Sequence, residues 1–290
     1  MMIMKKKLGS LVFLLGISYL VNAQQENDHF YTIVQSLHHT SNGVVMISAH
    51  RGAHLKYPEN SLAAIRGAIE IGVDFAEIDV RFTKDKHLVL MHDKNINRTT
   101  NGKGPVSDFT FEEIRKFKLR QNDSLTKEII PTLEEALSVA KGKIILDLDI
   151  KQDECIDSIM ALVIRKGAEK NCLFFVYEPM LAEMIKAKSA SFQLLVRTES
   201  AQAVDTLFSV VRPEVVHIDP SHYTEAVVHI LKNGKCRVWI NALGEVDKKA
   251  VSGDLTAYDE LLKNGANIIQ TDQPGLLKKY LESKNLYYRK

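Results

Sequence analysis

The chain has 290 residues, 45% of them apolar and 26% charged, with a formal net charge of +2. That length suits one large domain, since one-domain α/β barrels run to about 250 residues. The near-neutral balance argues against a nucleic-acid partner, which would want a basic surface. Three scattered cysteines, Cys155, Cys172 and Cys236, show no C-x-x-C spacing, which argues against a structural zinc site; they read as buried free thiols.

In chain order, Lys5, Lys6 and Lys7 precede an apolar run from Leu8 to Val21, followed by Asn22-Ala23 at a cleavage spacing. Residues 1–23 are expected to be a secretory signal peptide, because the run is shorter than the ~20 residues of a membrane span. The protein is thus expected to be exported, periplasmic or secreted, with no stable membrane insertion after cleavage. Subtracting those three lysines from 38 basic residues leaves 35 against 36 acidic ones, a net charge of −1. In 24–42, Phe30, Ile33, Val34 and Leu37 recur at helical spacing and predict a helix packing on the domain that occupies 43–290.

Strand-like apolar runs occur at 44–49, 75–80, 143–150, 173–177, 192–196, 215–219, 237–241 and 267–271. Helical patterns lie between them, at roughly 154–167, 179–188, 200–209, 222–233 and 254–264, and Asn60 is placed to cap a helix carrying Leu62, Ile65 and Ile69. Eight alternating units predict a parallel sheet closed into a (β/α)8 TIM-type barrel rather than an open doubly wound sheet. One connection breaks the pattern. Lys84-Asp85 reads as a tight hairpin turn pairing Thr83 with Lys86 and Glu77 with His92. The turn-rich stretch 93–131 then reads as an insertion forming a small cap subdomain after the second strand.

Side chains alternate across a strand. Glu77, Asp79 and Arg81 therefore share one face of 75–80, and Asp147, Asp149 and Lys151 share one face of 143–151. Their apolar neighbours must meet the helices, so the acids point into the barrel mouth. Buried together, Glu77, Asp79 and Asp149 need positive charge: Arg51, Arg81 and Lys151 as ion pairs, or a hard divalent cation. His50 and His92 should reach the same mouth. Two imidazoles beside acids and cations suit acid–base cleavage of a phosphate ester.

The stretches AHRGAHLKYPENSLAAI, GVDFAEIDVRFTKDKHLVLMHDKNINRTTNGKG and IPTLEEAL, with NIIQTDQP near the end, resemble the glycerophosphodiester phosphodiesterase family. The resemblance implies a (β/α)8 barrel that hydrolyses a small-molecule glycerophosphodiester to glycerol 3-phosphate and an alcohol. It also implies His50 and His92 as the acid–base pair, Glu77, Asp79 and Asp149 as ligands of one divalent ion (Mg2+ or Ca2+), and Arg51 and Lys151 as phosphate contacts. Glu59 and Asn60 would support the site, Glu59 by holding Arg51. The chain departs from the family pattern in three places. Asp149 stands where the family has Glu, Tyr177-Glu178-Pro179 replaces Ser-Phe, and Trp239 is shifted one position before Asn241, which flips it across the strand.

Trp239, Asn241 and His217 are candidates for the pocket wall, although Trp239 is equally suited to filling space. Asp272 reads as fixing the barrel end, His54 and His38-His39 as solvated residues, and Gly102-Lys103-Gly104 as a turn rather than a phosphate loop. Two alternatives stand beside the main reading. One is a lipid-directed phosphodiesterase of the sphingomyelinase D type, favoured by Asp149. The other is a non-catalytic phosphate- or sugar-binding barrel whose acids form only ion pairs.

Overall fold

A computed structural model describes residues 29–288; the expected signal peptide lies outside them. Residues 29–38 are helical and are called α1. Eight strands then run parallel: β1 (Met46–Ala49), β2 (Phe75–Phe82), β6 (Ile145–Ile150), β7 (Cys172–Val176), β8 (Gln193–Thr198), β9 (Val215–Ile218), β10 (Arg237–Asn241) and β11 (Ile268–Thr271). Their order is sequential, and pairings of β1 with both β11 and β2 close the barrel. Between the strands lie α2 (Leu62–Ile71), α3 (Phe111–Ile114), α4 (Leu133–Ala140), α5 (Ile156–Lys166), α6 (Pro179–Lys188), α7 (Ala201–Val210), α8 (Glu225–Asn233), α9 (Glu245–Val251) and α10 (Asp259–Leu262), with α11 (Pro274–Ser283) last.

The two faces of each strand feed different cores. Outward residues such as Ile47, Ala76, Ile78, Leu146, Leu148 and Val216 pack with the helices in one continuous cluster. Inward residues Met46, Phe75, Ile145, Leu173, Leu195, Val215, Trp239 and Ile268 form a second cluster, joined from below by Ile33, Val34 and Leu37 of α1. The acids occupy the inward positions above that apolar floor, so alternation explains both the core and the site.

Two local expectations are corrected. The N-cap of α2 is Ser61, whose hydroxyl accepts from the Ala64 N–H; Asn60 sits one residue earlier at φ 57°, its side chain committed elsewhere. The hairpin register is shifted by one. Thr83 N–H donates to His87 O, and Val80 pairs with Leu90, so Glu77 is not opposite His92. The cause is a three-residue loop, Lys84 to Lys86, with Lys86 at φ 64°. Asp85 supports it by accepting from the Thr83 hydroxyl at 2.6 Å and the Phe111 N–H at 2.9 Å. After β3 (Leu88–Leu90), the excursion 93–131 contains α3 and a hairpin of β4 (Lys118–Gln121) and β5 (Ser124–Ile129). It has a small core of its own around Ile96, Val106, Ile114 and Leu119.

Cys155, Cys172 and Cys236 are buried and free. Among the described residues no helix is long and apolar enough to cross a membrane.

The floor is latched by Arg237, which is fully buried. Its guanidinium donates to Ser36 O and, at 2.9 to 3.1 Å, to Val44 O, Asn42 Oδ1 and His39 O, tying α1 and the following loop to β10. Hydrogen bonds to a charged group contribute about 1.5–3 kcal/mol each, without simple additivity. Arg237→Met is therefore expected to lower stability by about 3 kcal/mol or more, read from denaturant midpoints; a loss under about 1 kcal/mol would show that the latch is not needed.

Candidate active site

The first strand ends in a sharp reversal. Arg51 at φ 52° and Gly52 at φ 74° follow His50 directly. A Cβ at Gly52 would lie 2.8 Å from the Ala64 backbone, so only glycine fits between this turn and α2. The turn aims the Arg51 N–H at Glu77 Oε2, 2.8 Å away. It leaves the Arg51 side chain 3.1 Å from Glu59 Oε1 and 3.9 Å from Asp79 Oδ2.

Glu77, Asp79 and Asp149 come together as expected, each offering an oxygen within 4.8 Å of the others. The parallel register pairs Asp79 with Asp149 and Glu77 with Asp147. Asn60 clamps Asp79 from both sides: its amide donates to Oδ2 at 2.6 Å and its Oδ1 accepts from the Asp79 N–H at 2.9 Å. Lys151 Nζ lies 2.8 Å from Asp79 Oδ1 and 2.5 Å from Asp149 Oδ2.

The positive side chains do not balance this cluster. Burial raises Glu77 well above the usual carboxylate range, and Asp79, Asp149 and Asp147 add to the rise. Burial also raises Asp149, against the pull of Lys151. Asp79 is the exception: burial opposes its charge, but Lys151 and Asn60 outweigh burial and hold the carboxyl low. Asp149 Oδ1 is buried without a hydrogen-bond partner. An all-oxygen donor set with surplus negative charge fits a hard divalent cation. Arg81, expected to help neutralise the acids, feels the charges of Asp79 and Asp149, and its Nε and Nη2 donate to the His92 carbonyl at 3.1 and 2.8 Å. Deeper in the barrel, Asp147 is fully buried with neither oxygen bonded, and burial, with the charges of Asp149 and Asp79, raises its carboxyl well above the usual range.

Each of the two expected imidazoles has a carboxylate on Nδ1. His50 Nδ1 is 2.7 Å from Asp272 Oδ1, and His92 Nδ1 is 2.7 Å from Asp93 Oδ1. A carboxylate only accepts, so Nδ1 carries the proton and Nε2 is the basic nitrogen in the neutral ring. Asp272 is itself steadied: its N–H donates to Asp247 Oδ2 at 2.8 Å, and Asp247 also accepts from the Thr271 and Tyr258 hydroxyls. His54, read from the sequence as solvated, belongs here. Its Nδ1 donates to His50 O at 2.7 Å and its Nε2 lies 3.7 Å from Asp272.

The pocket-wall candidates divide. Trp239 is almost fully buried in the inner cluster against Phe75, and its indole N–H donates to Asn241 Oδ1 at 3.0 Å. It fills the barrel interior and is not available to stack on substrate; Asn241, above it, is half-buried. His217 is also buried, between Phe175 and Trp239, and burial lowers it to about 4, so the ring is neutral and lies beneath the mouth. Tyr177, singled out only as a departure from the family pattern, is half-exposed, stacks on Phe175, and lines a cavity of about 410 Å³ with Glu178, Arg197 and Glu199. The partners that sequence reasoning missed are Asp93, Arg98, His54 and Asp247, together with the contact of Asp272 to His50. Only Asp93, adjacent to His92, carried a local signal.

Residues 50–238 match the Glycerophosphoryl diester phosphodiesterase family. A glycerophosphodiester phosphodiesterase of Caldanaerobacter subterraneus is 43% identical over 109 residues, covering 37% of this chain and 45% of the relative. Glycerophosphodiester phosphodiesterase 1 of Mus musculus is 47% identical over 94 residues, covering 31% and 28%; the chain thus spans less than half the length of the curated relatives it matches. The crystal structure of a glycerophosphoryl diester phosphodiesterase from Parabacteroides distasonis superposes with a TM-score of 0.76 at 28% identity, covering 87% of this chain and 92% of that one. An Oleispira antarctica phosphodiesterase, solved with the product sn-glycerol-3-phosphate, shares the fold with a TM-score of 0.70 at 21% identity, covering 84% and 99%. The chain belongs to the glycerophosphoryl diester phosphodiesterase family.

Proposed function

We propose that the protein is a metal-dependent phosphodiesterase that hydrolyses glycerophosphodiesters to glycerol 3-phosphate and an alcohol. The observation that carries this reading is one barrel mouth holding three convergent carboxylates and two imidazoles, each imidazole oriented by a carboxylate on Nδ1. Glu77, Asp79 and Asp149 would hold one Mg2+ or Ca2+, which when bound supplies a charge that polarises the phosphoryl group. Arg51 and Lys151 share the phosphoryl charge. Nε2 of His50 removes the proton of the nucleophile, and His92 protonates the leaving alcohol. Asp272, holding His50 Nδ1, keeps that ring in the acting tautomer.

The Pro58–Ser61 loop supports a glycerophosphodiester rather than a sphingomyelinase D-type lipid reaction. Through Asn60 and Glu59 it builds the acid cluster and the Arg51 clamp directly. The reading also includes export, periplasmic or secreted, on the signal-like pattern of residues 1–23.

Two measurements test the reading. A coupled assay for glycerol 3-phosphate over a panel of glycerophosphodiesters should show turnover that chelator abolishes. His50→Ala and His92→Ala should each lower it by about 100-fold or more with melting unchanged; turnover that survives complete metal removal would defeat the mechanism. Separately, Mg2+ or Ca2+ should raise the thermal midpoint of the wild type, by about 2.7 kcal/mol of stabilisation at 100-fold excess over the dissociation constant. Glu77→Gln should lose that rise, and an equal rise in the variant would place the ion elsewhere.

A further inference from the structure

Arg98 lies in the excursion that follows β3 and has no part in the chemistry above. Its guanidinium nevertheless grips two carboxylates at once. Nε donates to Asp93 Oδ2 at 2.7 Å and Nη2 to Asp93 Oδ1 at 3.0 Å. Nη1 donates to Glu59 Oε2 at 2.6 Å and Nη2 to Glu59 Oε1 at 2.8 Å. Each carboxylate has its other commitment at the reaction centre. Asp93 Oδ1 accepts from His92 Nδ1 at 2.7 Å, and Glu59 Oε1 from Arg51 Nη1 at 3.1 Å. One planar cation therefore joins the group that orients an imidazole to the group that orients the phosphate clamp.

We infer that Arg98 is a positioning residue, setting the His92 ring and the Arg51 guanidinium relative to each other through Asp93 and Glu59. The inference rests on the proposed reaction for its catalytic consequence. Without the cation, Glu59 and Asp93 are like charges facing each other across one guanidinium's width. Asp93, about a third exposed (32%), is then free to turn to solvent and release His92. Arginine is required because its rigid fork serves both carboxylates together, whereas a lysine point charge satisfies them one at a time. The backbone that presents Arg98 is itself fixed. Ile96 is buried in the excursion's small core, and its carbonyl accepts from the Thr100 N–H at 3.1 Å and the Thr100 hydroxyl at 2.7 Å. The excursion thus acts as a rigid arm delivering one side chain to the mouth.

The test uses the full chain, with glycerophosphocholine as substrate. Arg98→Ala should lower kcat by about 10- to 100-fold, the usual effect of removing an outer-shell orienting group. The metal-induced rise in thermal midpoint should remain, and Arg98→Lys should recover only part of the loss. Asp93→Asn should have a similar cost. The double variant should be no more than about threefold worse than the poorer single, because both act through one path. In substrate-free protein, the hydrogen-bonded imidazole N–H resonance of His92, identified by its loss in His92→Gln, should disappear in Arg98→Ala. Persistence of that resonance, multiplication of the two single effects, or a collapse of melting that parallels kcat would overturn the inference. A wild type without turnover would instead defeat the proposed reaction, and the resonance would still decide whether Arg98 holds His92.

Discussion

The organising constraint is a surplus of buried negative charge. Four inward carboxylates on two adjacent strands, Glu77, Asp79, Asp147 and Asp149, stand where water cannot screen them. An isolated buried ion costs several kcal/mol even after relaxation, and here each raises the cost of the next. The molecule answers in two ways. Lys151 sits between Asp79 and Asp149, and Asn60 grips Asp79 with both ends of its amide. What is left over is centred on Glu77 and Asp149, and under the proposed function a bound cation would balance it.

Bringing the carboxylates together depends on the barrel's register. Strand alternation assigns acids to the inside, but it is the β2–β6 register, pairing Asp79 with Asp149 and Glu77 with Asp147, that sets them side by side. The layers below stabilise that arrangement without joining in it. Phe75, Trp239 and the α1 residues fill the floor, so the polar positions begin above a packed apolar base. Trp239 shows how closely the two layers meet: its ring belongs to the floor while its N–H reaches up to Asn241.

Much of this was legible in the sequence because the relevant signals are local and periodic. Period-two alternation in FAEIDV and ILDLDI identified both the strands and their acidic face. Two errors came from local backbone conformations that carry no glycine. Lys86 adopts a positive φ and adds a residue to the hairpin loop, and Asn60 adopts one and yields the helix cap to Ser61. Other omissions were non-local. Nothing near His50 announces Asp272, nothing near Glu59 announces Arg98, and His54 looks like an ordinary loop histidine until the HRG turn folds it back. A chain read in one dimension shows which groups can act, but not which carboxylate holds them.

The pairing of His50 with Asp272 spans 222 positions and joins the first strand of the barrel to the end of the last. The orientation of the imidazole therefore depends on a contact that exists only once the two ends of the barrel meet. During synthesis His50 emerges early and stays without its anchor until the closing strand docks against its neighbour. A barrel in which β11 is not docked against β1 lacks that contact, so alignment of the His50 imidazole is coupled to closure of the barrel.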